Sequence, residues 1–317
     1  MKGQLLGHFL RALLLSFTVV AGLHAGPLVR FFAIGDVPYN DAELMVLETF
    51  LGQELKKGTP FVVHVGDIKG GREPCSDERL KVVAELFRTQ PVPVVYTPGD
   101  NEWTDCHRAA AGGYDPLERL AAVRRLFYGD PGVLKVDALA VVRPDAAFPE
   151  NYYFLYRDVL FVTVHAVGSH NNRKPRDPAA MAEFEARTAA DRRLLQAVAA
   201  AANARHAKAV ILAFQADPGF EKSKPPNGFA PLWQDLRTLL RDFRGPILAI
   251  HGDSHTYTFD HPLKSATTGE REGRFVRLEV PGSPVVGGVW VTVEPTAPEP
   301  FKADPVYPDA HELLMGE

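Results

Sequence analysis

The pattern that most constrains this chain is an apolar stretch running into Gly-Asp, which occurs four times. Phe31-Phe32-Ala33-Ile34 leads into Gly35-Asp36, and Val62-Val63-His64-Val65 leads into Gly66-Asp67. Val94-Val95-Tyr96-Thr97-Pro98 leads into Gly99-Asp100, and Leu248-Ala249-Ile250-His251 into Gly252-Asp253. Runs rich in β-branched and aromatic residues are predicted to be buried strands. One Gly-Asp alone is an ordinary turn, because Gly supplies φ > 0 and Asp bonds its own backbone. Four such units, with helical segments between the first three, predict carboxylates converging at the carboxyl ends of sheet strands, where α/β proteins place their sites.

The segments between these units follow βαβ logic. Asn40 and Glu43 open a helix carrying Leu44, Leu47, Leu51 and Leu55 at helical spacing, and Gly58 stops it. Ser76 caps a second helix with Leu80, Val83 and Phe87, and Asp115-Pro116 opens a third. Residues 152–156 and 160–165 are predicted to form a hairpin around Arg157-Asp158. A long Ala-rich helix over 178–203 follows, then a strand over 209–214 and a helix over 231–243. Phe275–Val280 and Val285–Val293 are expected to complete a second sheet together. From Pro295 the chain is rich in Pro and acidic residues, which predicts a surface-running or partly disordered tail over 295–317. One domain over 26–294 accounts for the rest.

With 46% hydrophobic residues, a net charge of −4 and no long Lys/Arg run, the chain carries no electrostatic footprint for nucleic acid. Lys2, His8 and Arg11 precede an apolar run from Ala12 to Leu23, and small residues end in Ala25-Gly26. This is the pattern of a signal peptide over 1–25, with cleavage after Ala25 as first choice and after Ala21 as second. The run is short for a membrane span and no other segment approaches one, so the expectation is an exported protein, periplasmic or secreted, with no transmembrane segment after cleavage. In an oxidising compartment the two cysteines, Cys75 and Cys106, are expected to pair. They follow the second and third Gly-Asp units at nearly equal spacing, so the bridge would join two loops at the strand ends.

In order, these motifs resemble those of the calcineurin-like metallophosphoesterases, whose pattern runs Asp-x-His, Gly-Asp, Gly-Asn-His-Asp/Glu, a lone His and Gly-His-x-His. Here Asp36-Val37-Pro38, Gly66-Asp67, Gly99-Asp100-Asn101-Glu102, Gln215 and Gly252-Asp253-Ser254-His255 stand at those five places. The resemblance spans about Val29 to Val293. It implies an α/β fold of two packed mixed β-sheets flanked by helices, a four-layer α/β/β/α sandwich. It also implies divalent metal ions, one or two, bridged by Asp67, with Asp36, Asp100, Gln215, Asp253 and His255 as further ligands. The implied reaction is hydrolysis of a small phosphate ester by a metal-activated water.

The sequence departs from the family at chemically telling places. Pro38, Gln215 and Asp253 replace ligand histidines, Asp100 replaces Asn, and Asn101 replaces the catalytic His. Asp100, Gln215 and Asp253 still carry oxygen, and an oxygen-rich set favours Mg²⁺, Mn²⁺ or Ca²⁺ over Zn²⁺, with iron also admitted. Asn101 can donate a hydrogen bond to phosphate but cannot protonate a leaving group. Tyr39, Glu102, His170 and His251 are possible pocket residues; Tyr39 is more readily explained as packing a turn, His251 is expected to face away from the ligands, and His64 is expected in the core. Two other functions compete with the hydrolase. One is a protein of this fold that binds metal or phosphate with little or no catalysis. The other is a serine esterase, since Gly252-Asp253-Ser254 resembles the GDSL block, although Asp309-Ala310-His311 has the wrong spacing for its partner motif.

Overall fold

The computed structural model describes residues 28–265 and 268–309. The segment expected to be a signal peptide, and His311, lie outside the described residues. In chain order the strands are β1 (Val29–Ile34), β2 (Val62–His64), β3 (Val94–Tyr96), β4 (Tyr152–Tyr156), β5 (Val159–Thr163) and β6 (Ala209–Ala213). They continue with β7 (Ile247–His251), β8 (Thr258–Asp260), β9 (Phe275–Glu279), β10 (Gly288–Val293) and β11 (Phe301–Val306). One sheet has the order β11-β10-β1-β2-β3 and the other β4-β5-β6-β7-β9-β8. Both are mixed: β1, β2 and β3 are parallel, as are β5, β6, β7 and β9, while β10, β11, β4 and β8 pair antiparallel.

The inner strands are buried on both faces because each sheet is covered twice, whereas the edge strands β8 and β11 are largely half-buried or exposed. Phe31 and Phe61 of the first sheet side meet Phe161 of β5, and Phe61 meets Phe154 of β4, with ring centroids 4.9–5.3 Å apart, so the two sheets pack face to face. The outer face of the first sheet is covered by the helices Asp41–Glu54 and Asp77–Thr89 through Leu47, Leu51, Leu80, Val83 and Phe87. The outer face of the second is covered by Pro178–Ala204 and Ala230–Asp242 through Leu194, Val198, Leu236 and Leu239. The result is the expected four-layer α/β/β/α sandwich.

Helix starts follow the expected caps. Asn40, Ser76 and Asp115 each accept the backbone N–H of the residue three positions on, at 2.9, 3.2 and 2.8 Å. Such caps are worth about 1 kcal/mol each. The hairpin β4–β5 turns at Arg157, which takes φ 53°.

Two expectations fail after β8. Phe275–Glu279 and Gly288–Val293 do not lie in one sheet: β9 adds beside β7, and β10 crosses to the first sheet to pair with β1. The stretch Pro281-Gly282-Ser283-Pro284 makes that crossing, and Ser283 N donates to Asp36 O on the way. The chain beyond Pro295 is not merely a surface tail, because β11 pairs along β10 and buries Phe301 in the core. Its Pro305 is compatible with a strand because β11 is at the sheet edge.

Candidate functional site

β1, β2 and β3 end side by side, and β7 of the other sheet ends against them, so the four aspartates meet at one edge of the sandwich. The contact is direct: the backbone N–H of Asp253 donates to both carboxylate oxygens of Asp36, at 3.2 and 3.1 Å. Glycine is needed before these aspartates for space. A Cβ at Gly99 would sit 2.0 Å from Asp67 Oδ1, and one at Gly252 1.9 Å from Asp36 Oδ2. Asp36, Asp67, Asp253 and His255 all have positive φ, at 52°, 52°, 81° and 63°. Left-handed backbone at non-glycine residues is costly and concentrates at functional sites.

Asp67 is the hub. Its Oδ1 accepts Asn101 N at 3.0 Å, and its Oδ2 accepts Asn101 Nδ2 at 2.8 Å, Tyr39 OH at 3.1 Å and Gln215 Nε2 at 3.3 Å. Tyr39 OH also lies 3.0 Å from His255 Nε2 and accepts from Asn101 Nδ2 at 3.2 Å. Tyr39 is therefore a central member of the cluster, not a turn-packing residue. His255 Nδ1 lies 2.6 Å from the carbonyl of Ser283, which can only accept, so the ring proton sits on Nδ1. In the neutral ring this leaves a lone pair on Nε2, 3.8 Å from Asp36 Oδ1.

Asp100 and Asp253 come together on the other side, each with a carboxylate oxygen 2.7 Å from where a Gly168 Cβ would stand. Asp253 Oδ2 accepts the backbone N–H of Asp217 at 3.0 Å. Burial, with neighbouring carboxylates adding to it, pushes the carboxyls of Asp36 and Asp67 well above the usual range. Burial together with Asp105 and Asp253 pushes Asp100 up to about 8, and burial raises Asp253 as well. Burial and the Asp67 charge also raise the Tyr39 phenol. Among the described residues no Lys or Arg forms an ion pair with Asp36, Asp67, Asp100 or Asp253. Lys69, itself buried, turns its ammonium to the carbonyls of Gly70 and Asn101 at 2.9 and 2.8 Å.

Several candidates are placed elsewhere. Gln215 does not offer its oxygen to the cluster: Oε1 accepts Gly168 N at 2.7 Å, so the amide presents N–H to Asp67. Glu102 is fully buried and accepts Tyr96 OH and Gly99 N, both at 2.9 Å, which holds the turn after β3 and keeps its carboxylate out of the pocket. His251 packs on Phe214 and Phe220, and burial lowers its pKa to about 4. His170 is exposed, and among the described residues no side-chain hydrogen bond ties its ring to the aspartates. His64 is a core histidine, with Nε2 2.9 Å from Val37 O and Nδ1 accepting Gly66 N. Trp103 is completely buried against His165 and Arg187. Ser254 donates to Glu279, and among the described residues no histidine is hydrogen-bonded to it.

Cys75 and Cys106 form the expected disulfide, joining the loop after β2 to the loop after β3. The sequence points to the loops 104–115 and 168–178, Ser169 among them, as pocket walls, but it does not single out Lys69, Asp105 or Arg108. Ser169 Oγ donates to Asp105 at 2.8 Å, and Arg108 pairs with Asp105 at 2.5 Å. The available signal was the position of Asp105, between the Gly-Asp-Asn-Glu cluster and Cys106.

The arrangement fits a hard cation in charge, since several buried carboxyl groups share one edge without a cationic partner. It is not a closed metal cage: among the described residues no group of three or more His, Cys, Asp or Glu is placed to hold a metal ion. At Asp67 the carboxylate oxygens are engaged by N–H and O–H donors.

No family model matches the sequence, and no curated protein does. Solved structures match over most of the chain. A dimetal phosphatase from Danio rerio aligns with a TM-score of 0.54 at 15% identity, covering 88% of this chain and 98% of that one. The structure of PhoD aligns with a TM-score of 0.53 at 14% identity, covering 89% of this chain and 68% of that one. The chain shares its fold with metallophosphoesterases. At such identities the likeness is one of fold alone.

Proposed function

We propose that the strand-end cluster is the centre of a metal-dependent phosphoric ester hydrolase acting on a small phosphate ester. One observation carries this reading: three buried carboxyl groups, Asp36, Asp67 and Asp100, and the half-buried Asp253 share one edge with no Lys or Arg among the described residues paired to them. Such a cluster is costly by itself and favours a cation. Asp36, Asp67, Asp100, Asp253 and His255 Nε2 would hold one or two divalent ions, and the excess of carboxylate favours Mg²⁺, Mn²⁺ or Ca²⁺ over Zn²⁺. A bound cation would stabilise phosphoryl charge and acidify a water. The chain's own contribution is orientation. Asn101 Nδ2 and Tyr39 OH, now on Asp67, are donors suited to a phosphoryl oxygen. Asn101 cannot give up a proton, because an amide does not ionise. The leaving oxygen therefore departs without an acid from Asn101.

The saturation of Asp67 by four donor contacts favours a second reading, a protein of the same fold that binds metal or phosphate with little or no catalysis. Export is part of the proposal. It rests on the basic, apolar and small-residue pattern at the N-terminus, and it is compatible with the Cys75–Cys106 bridge. No helix among the described residues is long and apolar enough to cross a membrane. The test is to strip metal from the protein, add back Mg²⁺, Mn²⁺, Ca²⁺ or Zn²⁺ singly, and measure bound metal beside phosphate release from 4-nitrophenyl phosphate. Metal with turnover is the expected result. Metal without turnover would favour the second reading, and the absence of both would contradict the proposal.

A further inference from the structure

Beside Tyr39 a cavity of about 600 Å³ opens, with Gly70 and Gly71 among its lining and Arg72 and Arg108 on its walls. It adjoins the cluster. A Cβ at Gly71 would stand 3.0 Å from Asn101 Oδ1 and 3.6 Å from a guanidinium nitrogen of Arg108, so the missing side chain leaves the space between them open. The two arginines are set by the disulfide: Arg72 lies shortly before Cys75, and Arg108 shortly after Cys106. Arg108 is anchored by Asp105 and Ser169 and remains about half exposed. Arg72 is exposed, and among the described residues it has no ion pair or side-chain hydrogen bond. Among the described residues that line the cavity, Glu73 is the one acidic side chain, against these two guanidinium groups.

We infer that this cavity receives a second anionic group of the substrate, so that the favoured substrates are phosphate esters carrying a further carboxylate or phosphate. The inference rests on the phosphoesterase reading and narrows it to a substrate class. Guanidinium forks match the paired oxygens of either group, and the phosphoryl end would lie at Asn101 and Tyr39 while the second anion meets Arg72 and Arg108.

Calorimetry on the metal-loaded protein tests this with three ligands: glycerol 3-phosphate, 3-phosphoglycerate, which adds a carboxylate, and propane-1,3-diol bisphosphate, which adds a phosphate. At least one of the two doubly anionic ligands should bind about 5-fold more tightly than glycerol 3-phosphate, the scale of a partly exposed ion pair. Which one does so identifies the second group. Arg72→Gln should bring that ratio close to 1. Arg72 is the cleaner position, because removing Arg108 strips buried Asp105 of its cation. A wild-type ratio of 1 in a protein that hydrolyses 4-nitrophenyl phosphate, or a ratio unchanged in Arg72→Gln, would overturn this inference alone. A metal-loaded protein that binds none of the three and releases no phosphate would overturn the phosphoesterase reading and this inference with it.

Discussion

Asn101 shows how a single side chain separates what this fold is from what it can do. Its amide donates to Asp67 and Tyr39 from the place where the resembled family has an ionisable imidazole. General acid catalysis is typically worth ~10²–10⁴-fold, so hydrolysis should fall steeply as the leaving group becomes a poorer one. Rates measured across aryl and alkyl phosphates should show this slope, and Asn101→His should flatten it by raising alkyl-ester turnover. A shallow slope in wild type would mean that another acid serves the leaving oxygen. Legibility at this scale was uneven. The aspartates were readable because each follows an apolar strand and a glycine. The roles of Tyr39, Gln215 and Glu102 were not, because they depend on which partner each polar atom meets. Gln215 has oxygen in its formula, yet Gly168 N–H takes it. Glu102 is acidic and beside the site, yet Tyr96 and Gly99 turn it inward.

Secondary structure elements followed local signals closely wherever caps and periodicity agreed, as in the helices begun by Asn40, Ser76 and Asp115. What local signals could not give was the sheet to which a late strand belongs. β9 and β10 look alike as apolar runs, and only the crossing at Pro281–Pro284 sends them to different sheets. β11 was hidden by its Asp304 and Pro305, which an edge strand tolerates. The helix Pro178–Ala204 carries a further consequence in Asp191, which is buried beside Asn151, with Asn151 Nδ2 2.7 Å from its carboxylate. Burial raises this carboxyl to about 7. The folded pKa lies above the unfolded value near 3.9, so the unfolded state holds fewer protons between the two, and stability is lost as pH rises from about 4 through about 7. A tenfold difference in proton affinity between the folded and unfolded states corresponds to about 1.4 kcal/mol. Asp191→Asn keeps the oxygen that accepts from Asn151 and removes the charge. Its urea-unfolding free energy should therefore gain on wild type as pH rises from about 5 to about 8. An equal pH slope in both proteins would show that Asp191 does not titrate in this way.

Across the whole molecule, two sheets of different strand order are packed so that β1, β2, β3 and β7 deliver aspartates to one edge, and the disulfide ties together the two loops beyond it. This edge is expected to hold a divalent cation, with Asp67, the acid that meets Tyr39, Asn101 and Gln215, as the residue on which binding depends most. Elemental analysis of wild type and Asp67→Ala, each stripped, reloaded with Mn²⁺ and desalted, tests it directly. Circular dichroism should first establish that the variant is folded. Wild type is expected to retain one or two Mn²⁺ per chain and the folded variant far less; equal metal in the two proteins, or none in wild type, would contradict the account.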